Sequence, residues 1–367
     1  MRVLHVIARL NVGGTARYIT LLANELPKHG IETYVATGFV QGAEVEDLSA
    51  QSIDLIRVPA MGRSIRPIKD LLARKQLDRI IRDVKPDIIH THTFKAGYII
   101  RMKKQPVPII HTFHGHLLDD PEFSGFKSKI IVGLEKKLAK KSAKLVSVGR
   151  RVAEELLEQK IGHRAQFVNI PPGVIPVKAT KRRQAFSNLN LNDDGRPLVG
   201  WIARVTGVKN PMRALEVAKI LPHIHFVIAG GGNLLDKVKA VAPSNVDVVG
   251  WVQAADLFGA ADVILSTSEN EGMPIALIEA QLAGKPVIAT DVGSVGEVIL
   301  NQKTGFVTKK NPQEIAVALE SILRDKNLCH DMGLKAIEHA EAQFSIEVLI
   351  QRHLHLYQEV TAITQPL

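Results

Sequence analysis

The stretch STSENEGMPIALIEAQLAGKPVIATD, from Ser266 to Asp291, decides the fold. Just before it, Ala261 to Leu265 is an apolar run that reads as a buried strand, with Asp262 near its start. Ser266 to Asn270 are small or polar and turn-prone. Glu271-Gly272-Met273-Pro274 leads into a helix expected over Ile275 to Ala283. Pro274 suits the first turn of that helix, where its missing N–H costs nothing. Gly284 fits the C′ stop, and Pro286 blocks continuation. Val287 to Ala289 starts the next strand. Strand, loop, helix, strand is the grammar of a parallel sheet.

Two carboxylates stand out in this stretch. Glu271 lies in the loop before the helix and Glu279 lies on it. Helix N–H groups facing the loop can hold an anion. Carboxylates placed there would accept hydroxyls from a sugar or a ribose. The plainer reading is that Glu271 caps the helix and Glu279 faces solvent. Spacing alone leaves both open.

Glu271-Gly272-Met273-Pro274, Glu279-Ala280 and Gly284-Lys285-Pro286-Val287 together resemble the donor-site signature of the retaining glycosyltransferases of group 1, also called family 4, of GT-B fold. The resemblance implies that Glu271 and the backbone of Gly272, Met273 and Pro274 contact the transferred sugar. It implies that Glu279 holds the ribose of the nucleotide. The two carboxylates stand eight positions apart, as in that signature.

The chain has 367 residues, long for one core and comfortable for two domains of roughly 150 to 200 each. Its one cysteine, Cys329, excludes an internal disulfide or a thiolate metal cluster and points to a cytoplasmic setting. No apolar run reaches the roughly 18 residues of a membrane span. The opening MRVLHVIARL is interrupted by His5 and Arg9 and reads as a first strand, not a signal peptide.

The formal net charge is +10. That balance suits nucleic acid, an anionic membrane face or phosphorylated substrates. Cations crowd the first half, from Arg63 to Lys85 and again from Lys127 to Lys144. A helix is expected over Lys129 to Lys144, apolar at Ile130, Leu134 and Leu138 and basic elsewhere. Such a helix can lie on anionic lipid. No aromatic-rich basic stripe or helix-turn-helix pattern supports nucleic acid.

Taken in order, Val3 to Ala8 reads as a strand, followed by Asn11-Val12-Gly13-Gly14-Thr15 and a helix over Tyr18 to Leu26. A Gly-Gly loop there lets backbone N–H groups approach a phosphate. It is not the GxGxxG dinucleotide pattern and lacks the GK[ST] ending of a P-loop. The resemblance places Gly13 and Gly14 near the donor phosphates, with Thr15 and Arg17 on the acceptor side. Further alternation of strand and helix brings five histidines to two strand ends: His90, His92, His111, His114 and His116. The spacing of a zinc hydrolase is absent, no thiolate is near, and no metal is expected. The resemblance implies that His114, in Thr-Phe-His-Gly, approaches the donor sugar. His92 and His116 are expected to line the acceptor side, while His90 and His111 face packing. The loop from Leu117 to Ser128 suits acceptor recognition.

In the second half, Trp201-Ile202-Ala203-Arg204 leads to Lys209-Asn210-Pro211 and a helix. The resemblance implies that Arg204 and Lys209 reach the nucleotide diphosphate. Fixed cations stabilise charge developing on such a leaving group. Gly230, in a glycine turn, and Trp251, after a strand, are expected near the nucleotide.

The expected architecture is α/β, a GT-B fold of two Rossmann-like parallel-sheet domains facing across a cleft. Residues 1–175 form the acceptor domain, to which 346–367 return; 176–196 are a linker; 197–345 form the nucleotide-sugar domain. The expected activity is retaining transfer of a sugar from a nucleotide-sugar, with UDP as the default, to a glycan, lipid-linked or small-molecule acceptor. No cofactor is expected beyond the nucleotide-sugar cosubstrate. A polyprenyl or other lipid-linked acceptor and an anionic membrane surface are the expected partners, and nucleic acid is not. The location expected is cytoplasmic, peripheral on the inner face of the cell membrane. A nucleotide-sugar epimerase or phosphorylase would share the fold but fits the organising motif poorly, and a non-enzymatic sugar-binding protein would lack paired cations aimed at a diphosphate.

Overall fold

The structure, a computed structural model, describes residues 1–41, 44–62, 64–115 and 126–364. The chain divides into two compact units, Met1–Gly173 with Ile346–Leu367, and Val174–Ser345.

The first unit runs β1 (Arg2–Ile7), α1 (Gly14–Glu25), β2 (Glu32–Thr37), β3 (Leu55–Arg57), α2 (Pro67–Val84), β4 (Ile88–His92), α3 (Thr93–Arg101), β5 (Ile109–Phe113), α4 (Phe126–Ala139), β6 (Lys144–Ser147), α5 (Arg150–Glu158) and β7 (Phe167–Asn169). Its strands form one sheet in the order β3-β2-β1-β4-β5-β6-β7, with every pairing parallel. All five residues of β4 and of β5 are buried, as expected of strands covered on both faces.

The second unit runs α6 (Arg182–Asn188), β8 (Leu198–Ile202), α7 (Pro211–Ile220), β9 (His225–Ala229), α8 (Leu235–Val241), β10 (Val246–Gly250), α9 (Ala254–Ala260), β11 (Val263–Ser266), α10 (Ile275–Leu282), β12 (Val287–Thr290), α11 (Val295–Val298), β13 (Gly305–Thr308), α12 (Pro312–Leu323) and α13 (Lys326–Phe344). Its sheet, also parallel throughout, has the order β10-β9-β8-β11-β12-β13. The last helix, α14 (Ile346–Thr364), belongs to the first unit, where Leu349, Ile350, Leu356, Tyr357 and Val360 join its core.

Both sheets reverse strand order once, between β1 and β4 and between β8 and β11. At such a reversal the loops leaving the strand ends diverge and open a crevice, the usual ligand position in these folds. The loop after β1 carries Gly13, the loop after β8 carries Arg204 and Lys209, and the loop after β11 carries Glu271 to Pro274, whereas His114 follows β5.

Two expectations are corrected. Residues 176–196 are not a separate linker: they fall inside the second unit, with Ala185 and Phe186 of α6 buried in its core. The basic helix ends at Ala139 rather than Lys144, because Lys144 opens β6 and pairs in register with Ile110. Its inner face also differs. Ile130 is 56% exposed, while Ile131 and Val132 are buried and Glu135 is wholly buried against Arg101. A charged residue on the inner face, matched by a buried arginine, disguises the apolar period.

Candidate active site

The loop after β8 and the loop after β11 are tied into one structure. Lys209 Nζ lies 2.6 Å from Glu271 Oε1, and Ser268 Oγ donates to the same oxygen at 2.7 Å. Glu271 is buried, and its carbonyl accepts from Ser294 N–H at 3.2 Å. Trp201 donates to Thr267, whose hydroxyl donates to the Asn210 carbonyl. Asn210 caps α7 through its side chain and adopts the left-handed φ of 45°. Pro211 then sits in the first turn, where no N–H is needed.

Sequence reading missed a second ionic knot beside this one. Glu269 accepts from Asn210, Arg213 and Lys310 at 2.7, 2.5 and 2.9 Å. Burial opposes its ionisation, but hydrogen bonds from Lys310, Asn210 and Arg213 outweigh it and hold the carboxyl down to about 2. Its job is structural, fixing the loop that presents Glu271. Nothing in its spacing marks it, since Arg213 and Lys310 are far away in sequence.

Arg204 is exposed, at the turn following β8. Its backbone is moulded by the glycine run after β9. Gly230 has φ 129°, and a Cβ there would lie 1.9 Å from the Ala203 carbonyl oxygen. A Cβ on Gly232 would meet the Val205 carbonyl oxygen at 2.4 Å. Glycine is required at both positions for the backbones to approach this closely. Trp251 is 73% exposed, and its indole lies over Gly231. It is therefore a surface ring rather than a core one.

Glu279, part-buried, sits on α10, and Gly272 and Met273 are part-buried in the loop before it. Pro274 is the N-cap of α10 rather than its first residue. Gly284, with φ 74°, ends the helix, and Lys285 N–H bonds back to the Ala280 carbonyl.

In the first unit Gly13 is the N-cap of α1, with φ 151° and its N–H 3.2 Å from Asp47 Oδ2. Gly13 and Gly14 are exposed and Thr15 is part-buried. Arg17 is exposed, its Nε 4.0 Å from Asp47 Oδ2.

The histidines are a packed cluster. β1 and β4 pair in register His5↔His90 and Ile7↔His92. Strand alternation then places His5, His90 and His92 on one face. That face meets Tyr18 of α1 and His353 and Tyr357 of α14. His114 Nε2 is 3.0 Å from His92 Nδ1, and His92 Nε2 is 3.0 Å from His5 Nδ1. His114 also packs edge-on to Tyr18, ring centroids 4.9 Å apart. His90 is bonded to the Tyr357 hydroxyl and to Thr112. His111 is buried and bonded to Thr91.

This arrangement corrects the expectation for His92. It is wholly buried with both ring nitrogens occupied, so it stands behind His114 and does not line an acceptor surface. His116 and the loop expected to select the acceptor lie outside the described residues. Nitrogens of His5, His90 and His92 fall within 4.8 Å of one another, a spacing that could hold an ion. Both nitrogens of His90 are already spent on hydroxyl groups, so the set is a hydrogen-bonded cluster as it stands. Thr93, directly after His92, takes φ 65°. That conformation is uncommon for a β-branched residue and marks a constrained strand-to-helix turn.

On α2 and just before it, Ile65, Ile68, Leu71 and Leu72 are all exposed, Ile68 to 79%. Arg66, Lys69, Lys75, Arg79 and Arg82 are exposed among or beyond them. Among the described residues no helix is long and apolar enough to cross a membrane.

Residues 182–339 match the family Glycosyl transferases group 1, and residues 12–177 match Glycosyltransferase Family 4. The UDP-Gal:alpha-D-GlcNAc-diphosphoundecaprenol alpha-1,3-galactosyltransferase of Escherichia coli is 26% identical over 311 residues, covering 78% of this chain and 79% of its own. The D-inositol 3-phosphate glycosyltransferase of Xylanimonas cellulosilytica is 26% identical over 364 residues, covering 86% of this chain and 84% of its own. Among solved structures, the sucrose-phosphate synthase of Thermosynechococcus elongatus superposes with a TM-score of 0.82 at 19% identity, covering 99% of this chain and 100% of its own. That last likeness is one of fold.

Proposed function

The chain is a glycosyltransferase of GT-B fold, related to group 1 and family 4, and from that premise we propose that it moves a sugar from UDP to a lipid-linked acceptor with retention at the anomeric carbon. The observation that carries the reading is the convergence of Lys209 and Glu271, with Arg204 on the same loop as Lys209, at the strand-order reversal of the second sheet. In this reading Arg204 and Lys209 take the charge that develops on the leaving diphosphate. Glu271 and the Gly272–Pro274 backbone hold the sugar, and Glu279 holds the ribose. Gly230 shapes the turn against Arg204, and Trp251 offers a flat face to the base. Gly13, Gly14, Thr15, Arg17 and His114 serve the sugar and acceptor from the first unit.

Two protein cations can meet the diphosphate charge, so the reading calls for no metal. Lys209 and Ser268 both hold Glu271 Oε1, which lowers the nucleophilicity of that oxygen. A front-face displacement, in which the leaving phosphate takes the acceptor proton, fits that geometry. Trapping a covalent glycosyl-enzyme would overturn this part.

The lipid-linked acceptor is supported by the Escherichia coli relative, whose name gives a diphosphoundecaprenol-linked substrate. It is supported as well by the α2 face. Exposed aliphatic side chains set among cations complement an anionic bilayer, where each nearby Lys or Arg contributes about 1 kcal/mol. This face sets four exposed aliphatic side chains among its cations, where α4 exposes Ile130, which makes it the better membrane contact of the two.

A panel of nucleotide-sugars scored by thermal shift tests the donor. A ligand that binds only the native state raises the melting temperature with concentration. A UDP-sugar should give the largest shift, and NMR of the transferred sugar should show the donor's anomeric configuration kept. No shift with any donor at millimolar concentration, or an inverted product, would sink the proposal.

A further inference from the structure

Three imidazoles of the first unit form a single file. His114 Nε2 meets His92 Nδ1, and His92 Nε2 meets His5 Nδ1, each at 3.0 Å. The file ends at His5 Nε2, which is buried and has no partner among the described residues.

A neutral imidazole has one N–H donor and one bare acceptor nitrogen. Only two neutral arrangements satisfy both links. In the first, every ring is protonated at Nδ1: His5 donates to His92, and His92 donates to His114. In the second, every ring is protonated at Nε2 and the direction reverses. A charged middle ring could donate both ways, but it would bury a cation between neutral neighbours. Burial, then the nearby histidines, hold His92 well below its ordinary pKa.

The unpartnered atom decides between the two. The reversed file would leave His5 Nε2 as a buried N–H with no acceptor, the rarer and costlier defect. The forward file leaves a bare lone pair there. Neighbouring histidines follow the same pattern. His353 Nδ1 is 2.9 Å from the Leu349 carbonyl, which can only accept, so Nδ1 carries the proton. His111 Nδ1 is 2.8 Å from Thr91, and its Nε2 is again buried without a partner.

We infer that His5, acting through His92, fixes His114 as the neutral Nδ1–H tautomer, so that His114 meets a ligand as a hydrogen-bond donor and never as a base. His5 and His92 are positioning residues. The tautomer follows from the geometry of the first unit alone; its effect on transfer rests on the reading of His114 as a sugar contact. A donor at Nδ1 suits a sugar hydroxyl or a phosphate oxygen, and it leaves the acceptor's proton to another group.

The test is a long-range proton–nitrogen NMR spectrum of the full chain labelled with [15N]histidine near pH 7.5. Signals are assigned by their loss in H5N, H92N and H114N. All three rings should show the pattern of a protonated Nδ1 and a bare Nε2. A protonated Nε2 on His92 or His114 in the wild type overturns the inference, whether or not any variant folds. His5→Asn keeps an amide donor near the Nδ1 position and should preserve the His92 and His114 patterns. His5→Leu removes the donor and should let His114 shift toward the Nε2–H form, with kcat/KM falling about tenfold, the worth of one neutral hydrogen bond. An unchanged His114 pattern in H5L refutes the role of His5. A changed pattern with unchanged transfer leaves the relay standing and removes His114 from the sugar site.

Discussion

Lys209 Nζ and Glu271 Oε1 lie 2.6 Å apart, joining a cation from the loop after β8 to a carboxylate from the loop after β11. Neither residue is an independent binding group. Removing Lys209 takes the cation from a buried carboxylate, which costs more than losing a surface cation. Lys209→Ala should lower kcat/KM by about a hundredfold, in line with loss of one transition-state charge partner. Glu271→Gln should cost a similar factor. Because the two act as a unit, the double variant should be little worse than the worse single one. Steady-state kinetics on all four proteins checks this; independent, multiplying losses would separate the pair.

The turn that carries Arg204 depends on missing side chains. Gly230→Ala would push a Cβ to 1.9 Å from the Ala203 carbonyl oxygen at φ 129°. It should destabilise the second unit by about 2 kcal/mol and lower transfer as strongly as Arg204→Ala. Gly207→Ala, where a Cβ meets nothing within 4 Å, should be within about 0.5 kcal/mol of wild type. Urea midpoints with parallel kinetics distinguish them, and equal effects at the two glycines would contradict the packing argument.

Much of this was legible in the chain. The organising stretch has strand, loop, helix and strand where the sequence placed them, because Gly284 and Pro286 punctuate it unambiguously. Arg204 and Lys209 fall on the loop after β8, Glu271 on the loop after β11 and Glu279 on α10 behind it, all at one sheet reversal. The pairing of Lys209 with Glu271 was not legible, since sixty-two positions separate them. Nor was Glu269, whose partners come from three elements. The histidines misled for a different reason. Sequence places polar residues at strand ends, but it does not say that Tyr18, His353 and Tyr357 would roof them. The α4 face failed because Glu135 takes an inner position through its pairing with Arg101.

The histidine cluster sets an acid limit on stability. Burial first, then the charge of His353, hold His5 and His114 at about 3, against an ordinary 6.5. Burial holds His353 at about 4, opposed by its bond to Leu349. His90, His92 and His111 are lowered well below 6.5 by burial and by neighbouring charge. The folded state therefore binds fewer protons than the unfolded one. Stability is full above about pH 6.5 and is lost as pH falls from there toward the depressed values. Each such histidine contributes a slope of up to about 1.4 kcal/mol per pH unit in that window. The urea midpoint should fall clearly between pH 6.5 and 5.5, and less steeply in His353→Gln. A flat profile would mean the rings are not held neutral.

Attachment to lipid should follow α2. Vesicles rich in anionic phospholipid should retain the protein and release it as salt rises. Ile68→Glu with Leu72→Glu should abolish retention, while Lys137→Glu on α4 with Lys140→Glu just after it should weaken it only modestly. Transfer to a short water-soluble acceptor should be unchanged in the α2 variant. Equal binding by wild type and the α2 variant would remove this surface from consideration.

Calorimetric titration of UDP into the wild-type chain and into a folded R204A/K209A double variant tests most directly whether the second unit grips the donor through its diphosphate. The wild type should bind saturably, and the variant at least about a hundredfold more weakly. Undiminished binding by the variant, or no binding of any nucleoside diphosphate by the wild type at millimolar concentration, would contradict it.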